Sequence, residues 1–443
     1  MGQIATSFAS APVVALPRPR LHQVRQLGYS MADQAFSVGG MFLVNLVLAR
    51  TQTKEEYGMF ALSYSVLTFL MGLHNAAILE PFTIYGSGRY RNRFAEYFRL
   101  ICWSNTALGL LMTAMVLGVC LGFHWLAPRD LPRAILGLGL AIGIIISGTF
   151  LRRSFYVQRQ PARAAMTSLV FFATISASLW IAVRAHVLDS FSVFLILGLG
   201  WVVAGAVWLG RLPHGHARER FLKAEPHYWF EHWGYARWVL ATAFVFQFMH
   251  QGYYWLVAGF LSVKDVGNLK AMYVLIAPVE QVMISLSFVV LPALTGRYAA
   301  RNLDGFLSLW KRYALAMLGI TLLFALTVRL VGTPLMHVLY AGKFDGLAPL
   351  LFVLALVPLS TGIGCTFSDA MRAAERPRLV FYAYVSSAIA TLVLGMPLVI
   401  YLGLRGAVYG MVLSGATFTC ALALAFWFRV PRHSLPRRLE PAV

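Results

Sequence analysis

A charged side chain inside a long apolar stretch is kept only where it faces a cavity, a partner or an ion, so such residues are the first candidates for function. Glu280 lies deep in the apolar stretch 267–291, and on a helical wheel Tyr273, Ala277, Glu280 and Ser287 share a face. In the preceding stretch, Gln247, His250, Gln251 and Tyr254 fall on one side of a helix. Two neighbouring polar faces at similar depth predict one site on a substrate or ion pathway; the structural alternative is a dry, hydrogen-bonded helix contact. A comparable stripe of Ser30, Asp33, Gln34, Ser37, Gly40 and Asn45 marks 27–48. Asp369 has Arg372 one turn away as an internal partner, and Glu80-Pro81 closes 57–79. Pathway candidates are therefore Glu280, His250, Gln247, Gln251, Asp33, Gln34, Glu80 and Asp369. Arg89, Arg152 and Arg153 sit at the ends of stretches, where lipid phosphates would meet them, although topology explains them equally well.

The elements that must hold these residues follow from composition. The chain has 443 residues, 59% hydrophobic and 12% charged, with a mean hydropathy of +0.69; soluble domains carry about 25% charge. Continuous apolar runs recur at the length a helix needs to cross hydrocarbon, about 20 residues. They are not alternating runs of period two, which argues against a β-barrel. An all-α membrane protein of twelve spans is predicted: 27–48, 57–79, 98–126, 132–151, 164–184, 187–210, 236–261, 267–291, 308–331, 346–371, 378–402 and 404–428. Pro278, Pro358, Pro397 and the pair Gly39-Gly40 would permit bends.

An internal repeat organises the spans. Glu56-Tyr57-Gly58 recurs as Asp265-Val266-Gly267, about 209 residues on; Pro81 with Gly88-Arg89-Tyr90 recurs as Pro292 with Gly296-Arg297-Tyr298. Arg159-Gln160-Pro161 likewise matches Glu375-Arg376-Pro377. Two six-helix bundles, 27–210 and 236–428, would then be related by a pseudo-two-fold along the membrane normal, with a cavity between them. Residues 1–26 and 429–443 are read as cytoplasmic tails, and 211–235, with His214, His216, His227 and His232, as a solvated cytoplasmic linker rather than a metal site.

The net charge of +20 is topological. With both termini in the cytoplasm, every inside segment holds at least three Lys or Arg and no outside segment more than two. No zinc-finger or RNA-binding motif accompanies the charge, so no nucleic-acid partner is expected. Cys102, Cys120, Cys365 and Cys420 fall within spans and form no CxxC, which implies small core residues and no metal. Gly342-Lys343-Phe344 lacks the upstream glycine and the Ser or Thr of a phosphate loop, so the chain hydrolyses no ATP. No catalytic cluster and no cofactor are predicted.

Ala49-Arg50 through Glu56-Tyr57-Gly58-Met59-Phe60, the segment LeuTyrAlaGlyLysPhe (339–344), AlaProLeuLeu (348–351) and ArgAlaAlaGluArgProArg (372–378) resemble polysaccharide flippases of the multidrug/oligosaccharidyl-lipid/polysaccharide exporter superfamily, nearest to the Wzx-type O-antigen or exopolysaccharide flippases. The resemblance implies a V-shaped, alternating-access exporter in the inner membrane. It would move undecaprenyl-diphosphate-linked oligosaccharide outward, alongside a polymerase and other glycan-assembly proteins. It also implies coupling through H+ or Na+ at the acids, Glu280 and Asp33 above all. His250 is then the central candidate cation, with Lys270, Arg237 and Arg372 as further headgroup contacts. The rivals are a multidrug antiporter for organic cations and a membrane enzyme or assembly subunit of a glycan pathway.

Overall fold

The computed structural model describes residues 21–124, 130–209 and 226–429. The expected tails as far as residue 20 and beyond 429, and the expected linker as far as residue 225 with His214 and His216, lie outside the described residues. Fourteen helices are named here: α1 (Leu21–Thr51), α2 (Lys54–His74), α3 (Glu80–Ser87), α4 (Phe94–His124), α5 (Asp130–Val157), α6 (Pro161–Arg184), α7 (Ser190–Leu209), α8 (Pro226–Phe260), α9 (Val263–Ala299), α10 (Leu303–Tyr340), α11 (Ala348–Leu354), α12 (Leu356–Ala373), α13 (Pro377–Ala390) and α14 (Met396–Arg429). Among the described residues there is no strand, and ten helical stretches are long and apolar enough to cross a membrane. One of them, 377–428, bends at Gly403, whose φ of 60° and ψ of −139° are open to glycine alone. The architecture is all-α and two-lobed.

The repeated connectors are helix starts. Thr53 caps α2 by accepting from the Glu56 N–H at 3.1 Å, and Ser262 caps α9 by accepting from Asp265 N–H at 3.1 Å while its hydroxyl reaches the Asp265 carboxylate at 2.7 Å. The two starts meet. A Cβ on Gly58 would lie 1.9 Å from the carbonyl oxygen of Val263, and one on Gly267 would lie 2.6 Å from that of Lys54. Only glycine at both places lets α2 and α9 touch backbone to backbone.

From that contact the seam between the lobes loosens along α9. Val266, Leu269, Ala271, Met272, Val274 and Ile276 are buried on every face of the helix, whereas Val282, Ile284, Phe288 and Val289 are exposed. On α1 likewise, Val44 and Leu48 are buried while Met31 and Val38 are exposed. α1 and α9 are thus packed towards the end holding Lys54, Lys264 and Lys343, and more exposed towards the end holding most of the arginines.

Two breaks each end two residues before a proline, Pro81 and Pro397, the second being a proline at which a bend was expected. Asn75–Leu79 and Thr391–Gly395 are π-turns, one in each lobe, while Pro278 and Pro292 lie inside an unbroken α9. The expected start of the seventh span at 236 is also ten residues late, because α8 begins at Pro226. Its first turns are held on the N lobe. Tyr228 stacks edge-on against Tyr90 at 4.8 Å, and Glu231 takes Arg89 at 2.9 Å as well as the Tyr90 hydroxyl.

Gly58→Leu should push the starts of α2 and α9 apart. Spin labels at Glu55 and Lys264 should report a longer distance, and an unchanged distance would show that this contact does not set the closed end.

Candidate functional site

Glu280 stands on α9 where burial gives way to exposure. Side chains on a helix lean towards its N-terminus, and Glu280 accordingly reaches back two turns to accept from Tyr273 OH at 2.6 Å. Further along, Lys270 Nζ lies 4.5 Å from the ring centre of Tyr64 on α2 and 5.8 Å from that of Tyr254 on α8. The ammonium is thus caged by aromatic faces from both lobes. Among the described residues no carboxylate lies within 4.0 Å of Lys270. The Tyr254 hydroxyl beside it is buried and has no hydrogen-bond partner among the described residues.

Of the expected α8 polar face, Tyr254 reaches the Glu280 cluster, its ring edge-on to that of Tyr273 with centres 6.4 Å apart, whereas His250 and Gln247 turn elsewhere. His250 donates from Nδ1 to its own helix at Phe246 O, 2.9 Å away, and packs on the Phe246 ring at 4.1 Å. Gln247 turns to the other lobe, its amide filling the space over Gly72, where a Cβ would lie 1.9 Å from Nε2. Gln251 is half-buried and makes no side-chain hydrogen bond. Equal depth on adjacent helices does not make two faces meet when their azimuths differ.

Asp33 is fully buried, and its carboxylate is enclosed. Arg152 Nε donates to Oδ1 at 2.8 Å and Nη2 to Oδ2 at 2.6 Å, Tyr156 OH donates at 2.6 Å, and Ser168 Oγ donates at 2.5 Å. Arg152 also reaches Ser37 Oγ at 3.1 Å and the Gln34 amide oxygen at 3.4 Å. This network binds α1, α5 and α6, so Arg152 is committed to the lobe interior rather than to a headgroup. In the other lobe, Asp369 accepts from Ser287 Oγ at 2.6 Å and Tyr313 OH at 2.9 Å. The expected pairing with Arg372 does not form: no ion pair joins them, and Arg372 is exposed. The acid turns across to α9 and α10 instead of along its own helix.

Glu80 accepts from Tyr235 OH at 2.9 Å. Close by, the π-turn presents Asn75, whose Oδ1 lies 3.4 Å from Arg153 Nη2. Among the described residues Arg153 has no carboxylate within 4.0 Å. Just before the turn, His74 is fully buried and donates from Nε2 to Asn105 Oδ1 at 2.8 Å, leaving Nδ1 without a partner. His232, expected in a solvated linker, is fully buried. Its Nε2 donates to Ala77 O and its Nδ1 accepts from Tyr97 OH, both at 2.8 Å. Arg89 is paired with Glu231, and Arg237 lies exposed beside Trp238, 5.7 Å from the ring centre. No group of three or more metal-ligating side chains occurs among the described residues.

Lys343 closes the opposite end. From the αL turn at Ala341 and Gly342, its Nζ donates to three carbonyls at the end of α1: Ala49 at 3.1 Å, Arg50 at 3.1 Å and Gln52 at 2.5 Å. A cation there also suits the negative end of the helix dipole. Burial, and then the nearby Lys54, push its ammonium pKa below the usual lysine range.

Sequence reasoning missed His74, Asn105, Tyr64 and Tyr313. The rule that singled out Glu280, an ionisable group within a span, applies to His74 too. Tyr64 carries no such signal, because its value lies in facing a cation on another helix.

No family model and no curated protein matches the chain. Solved structures do. An inward-facing multidrug resistance MATE family transporter of the MOP superfamily is 12% identical over 91% of this chain and 96% of its own, with a TM-score of 0.73. The outward-facing conformation of a MATE family transporter of the MOP superfamily is 13% identical over 91% and 94%, with a TM-score of 0.63. The lipid II flippase MurJ in an inward closed conformation is 15% identical over 90% and 87%, with a TM-score of 0.66. The chain has the fold these exporters share.

If the Asp33–Arg152 pair is a frame, Asp33→Asn should destabilise the protein by about 3–5 kcal/mol, the scale of an unpaired buried charge, and Asp33→Leu with Arg152→Met should recover most of it. Thermal unfolding in detergent checks this; a single variant as stable as the parent would remove the frame role.

Proposed function

We propose that the chain flips an anionic lipid-linked oligosaccharide, of the isoprenoid-diphosphate class, across the cytoplasmic membrane by alternating access. The observation that carries this reading is a pair of cations, Arg153 and Lys270, each lacking a carboxylate within 4.0 Å among the described residues. Arg153 belongs to the N lobe, and Lys270 stands in the seam itself. A diphosphate leaving water needs such charges, because its desolvation otherwise costs many kcal/mol. Guanidinium suits phosphate oxygens by its fork of donors, and among the described residues Arg153 makes one hydrogen bond, to the Asn75 side-chain oxygen at 3.4 Å, out of five donors.

The arginine-rich end, where α1 and α9 are more exposed, faces the cytoplasm by the positive-inside rule. The chain then rests open to the leaflet in which lipid-linked sugars are assembled, with Gly58, Gly267 and Lys343 sealing the outer side. Glu280, which accepts from Tyr273 one turn beyond the Lys270 cage, is the acid we assign to a coupling proton or sodium ion. Glycan-assembly proteins are the partners this role would bring.

Asp369 favours a second reading. Its hydrogen-bond partners among the described residues are neutral hydroxyls, so a carboxylate is left to attract a cation, as a multidrug antiporter would require.

In proteoliposomes holding a fluorescent lipid-diphosphate oligosaccharide, Arg153→Ala and Lys270→Ala should each slow flipping about tenfold or more, the scale of one charge-assisted hydrogen bond of roughly 1.5–3 kcal/mol. Arg153→Lys should retain part of the rate. Uptake of an organic cation that depends on Asp369 and is indifferent to Arg153 would establish the antiporter instead.

A further inference from the structure

A groove of about 550 Å³ lies on the N lobe between α4, α5 and α7, and α8–α14 contribute none of its walls. That size is within the range of pockets that enclose a small molecule. Leu110, Leu140 and Val202 on its rim are 67%, 47% and 49% exposed, so it opens sideways, onto the bilayer. Two of the three hydroxyls along it are already spent: Thr106 donates to Cys102 O at 2.9 Å and Ser147 to Gly143 O at 2.8 Å. The groove therefore suits a hydrocarbon chain and offers a polar headgroup little.

At the arginine-rich end the groove finishes on Leu151 and Trp208. Trp208 is fixed by donation from Nε1 to Thr167 Oγ1 at 2.9 Å, and the Arg163 guanidinium lies 5.5 Å from its ring centre. Arg163 is exposed, and among the described residues no carboxylate lies within 4.0 Å of it. Tryptophan and arginine at one level mark the depth of lipid headgroups, and an uncompensated arginine there selects a negative one.

We propose that this groove is a binding site for an anionic phospholipid of the arginine-side leaflet, with one acyl chain along α5 and the phosphate against Arg163. Because the walls belong to the N lobe alone, the lipid rides with that lobe and does not occupy the transport path. The site is independent of the transported substrate.

The test is native mass spectrometry of the delipidated full-length protein, titrated with phosphatidylglycerol, phosphatidylcholine or undecaprenyl phosphate. Wild type should retain phosphatidylglycerol in preference to phosphatidylcholine. Ala206→Phe, whose exposed position on the groove wall places the added ring in the groove, and Arg163→Gln, on the surface, should each weaken that binding about tenfold. The Arg163 variant leaves the packing intact and decides the matter if the other fails to fold. Undiminished phosphatidylglycerol binding by Arg163→Gln, or equal binding of phosphatidylcholine by wild type, would overturn the site. So would undecaprenyl phosphate displacing phosphatidylglycerol from wild type but not from Ala206→Phe, since the occupant would then be the isoprenoid chain.

Discussion

Hydrocarbon offers no hydrogen bonds, and a polar group placed in it must find its partner within the protein. For hydroxyls the solution is local: Thr68, Thr174 and Thr327 each donate to the carbonyl four residues back, at 2.8–2.9 Å. A carboxylate needs more partners than one helix readily supplies. Asp33 and Asp369, the buried carboxylates among the described residues, therefore tie helices together, and the pattern of ties separates what is rigid from what can part.

Within the lobes the ties are strong. Asp33 gathers a guanidinium and two hydroxyls from α5 and α6, and Asp369 gathers hydroxyls from α9 and α10. Between the lobes the contacts are of another kind. Glycine backbones touch, the Lys270 ammonium rests on aromatic faces, and Lys343 caps carbonyls that water could equally cap. Such contacts are weaker than a bidentate ion pair, and they suit a seam that opens while its two sides stay folded. The start of α8 complicates this division: its first turns are held by N-lobe tyrosines and Arg89, so the helix links the two bodies.

The π-turns give the lobes a second feature in common. At Asn75–Leu79 the extra residue in the turn directs Asn75 towards Arg153, beside the buried pair His74 and Asn105. A wide turn of this sort costs helix stability and persists where it positions a side chain. Here it sets the Asn75 amide oxygen against a guanidinium, a contact that leaves the charge un-neutralised.

Local chemistry was legible in the sequence. Apolar run length marked most of the helices, because the thickness of hydrocarbon admits few alternatives, although ten stretches among the described residues, rather than the twelve expected, are long and apolar enough to cross. The repeat was visible in Glu56-Tyr57-Gly58 and Asp265-Val266-Gly267, because helix caps and close-packed glycines are short-range demands. Asp33, Glu280 and Asp369 stood out as charges among apolar residues. What each charge faces was decided by tertiary structure alone, since the azimuth of one helix against another depends on the packing of both. Hence Asp33 meets Arg152, residues apart in sequence by 119; His250 turns to its own backbone; and Arg153, one position along from Arg152, faces Asn75 instead of Asp33 because a helix carries adjacent residues about 100° apart.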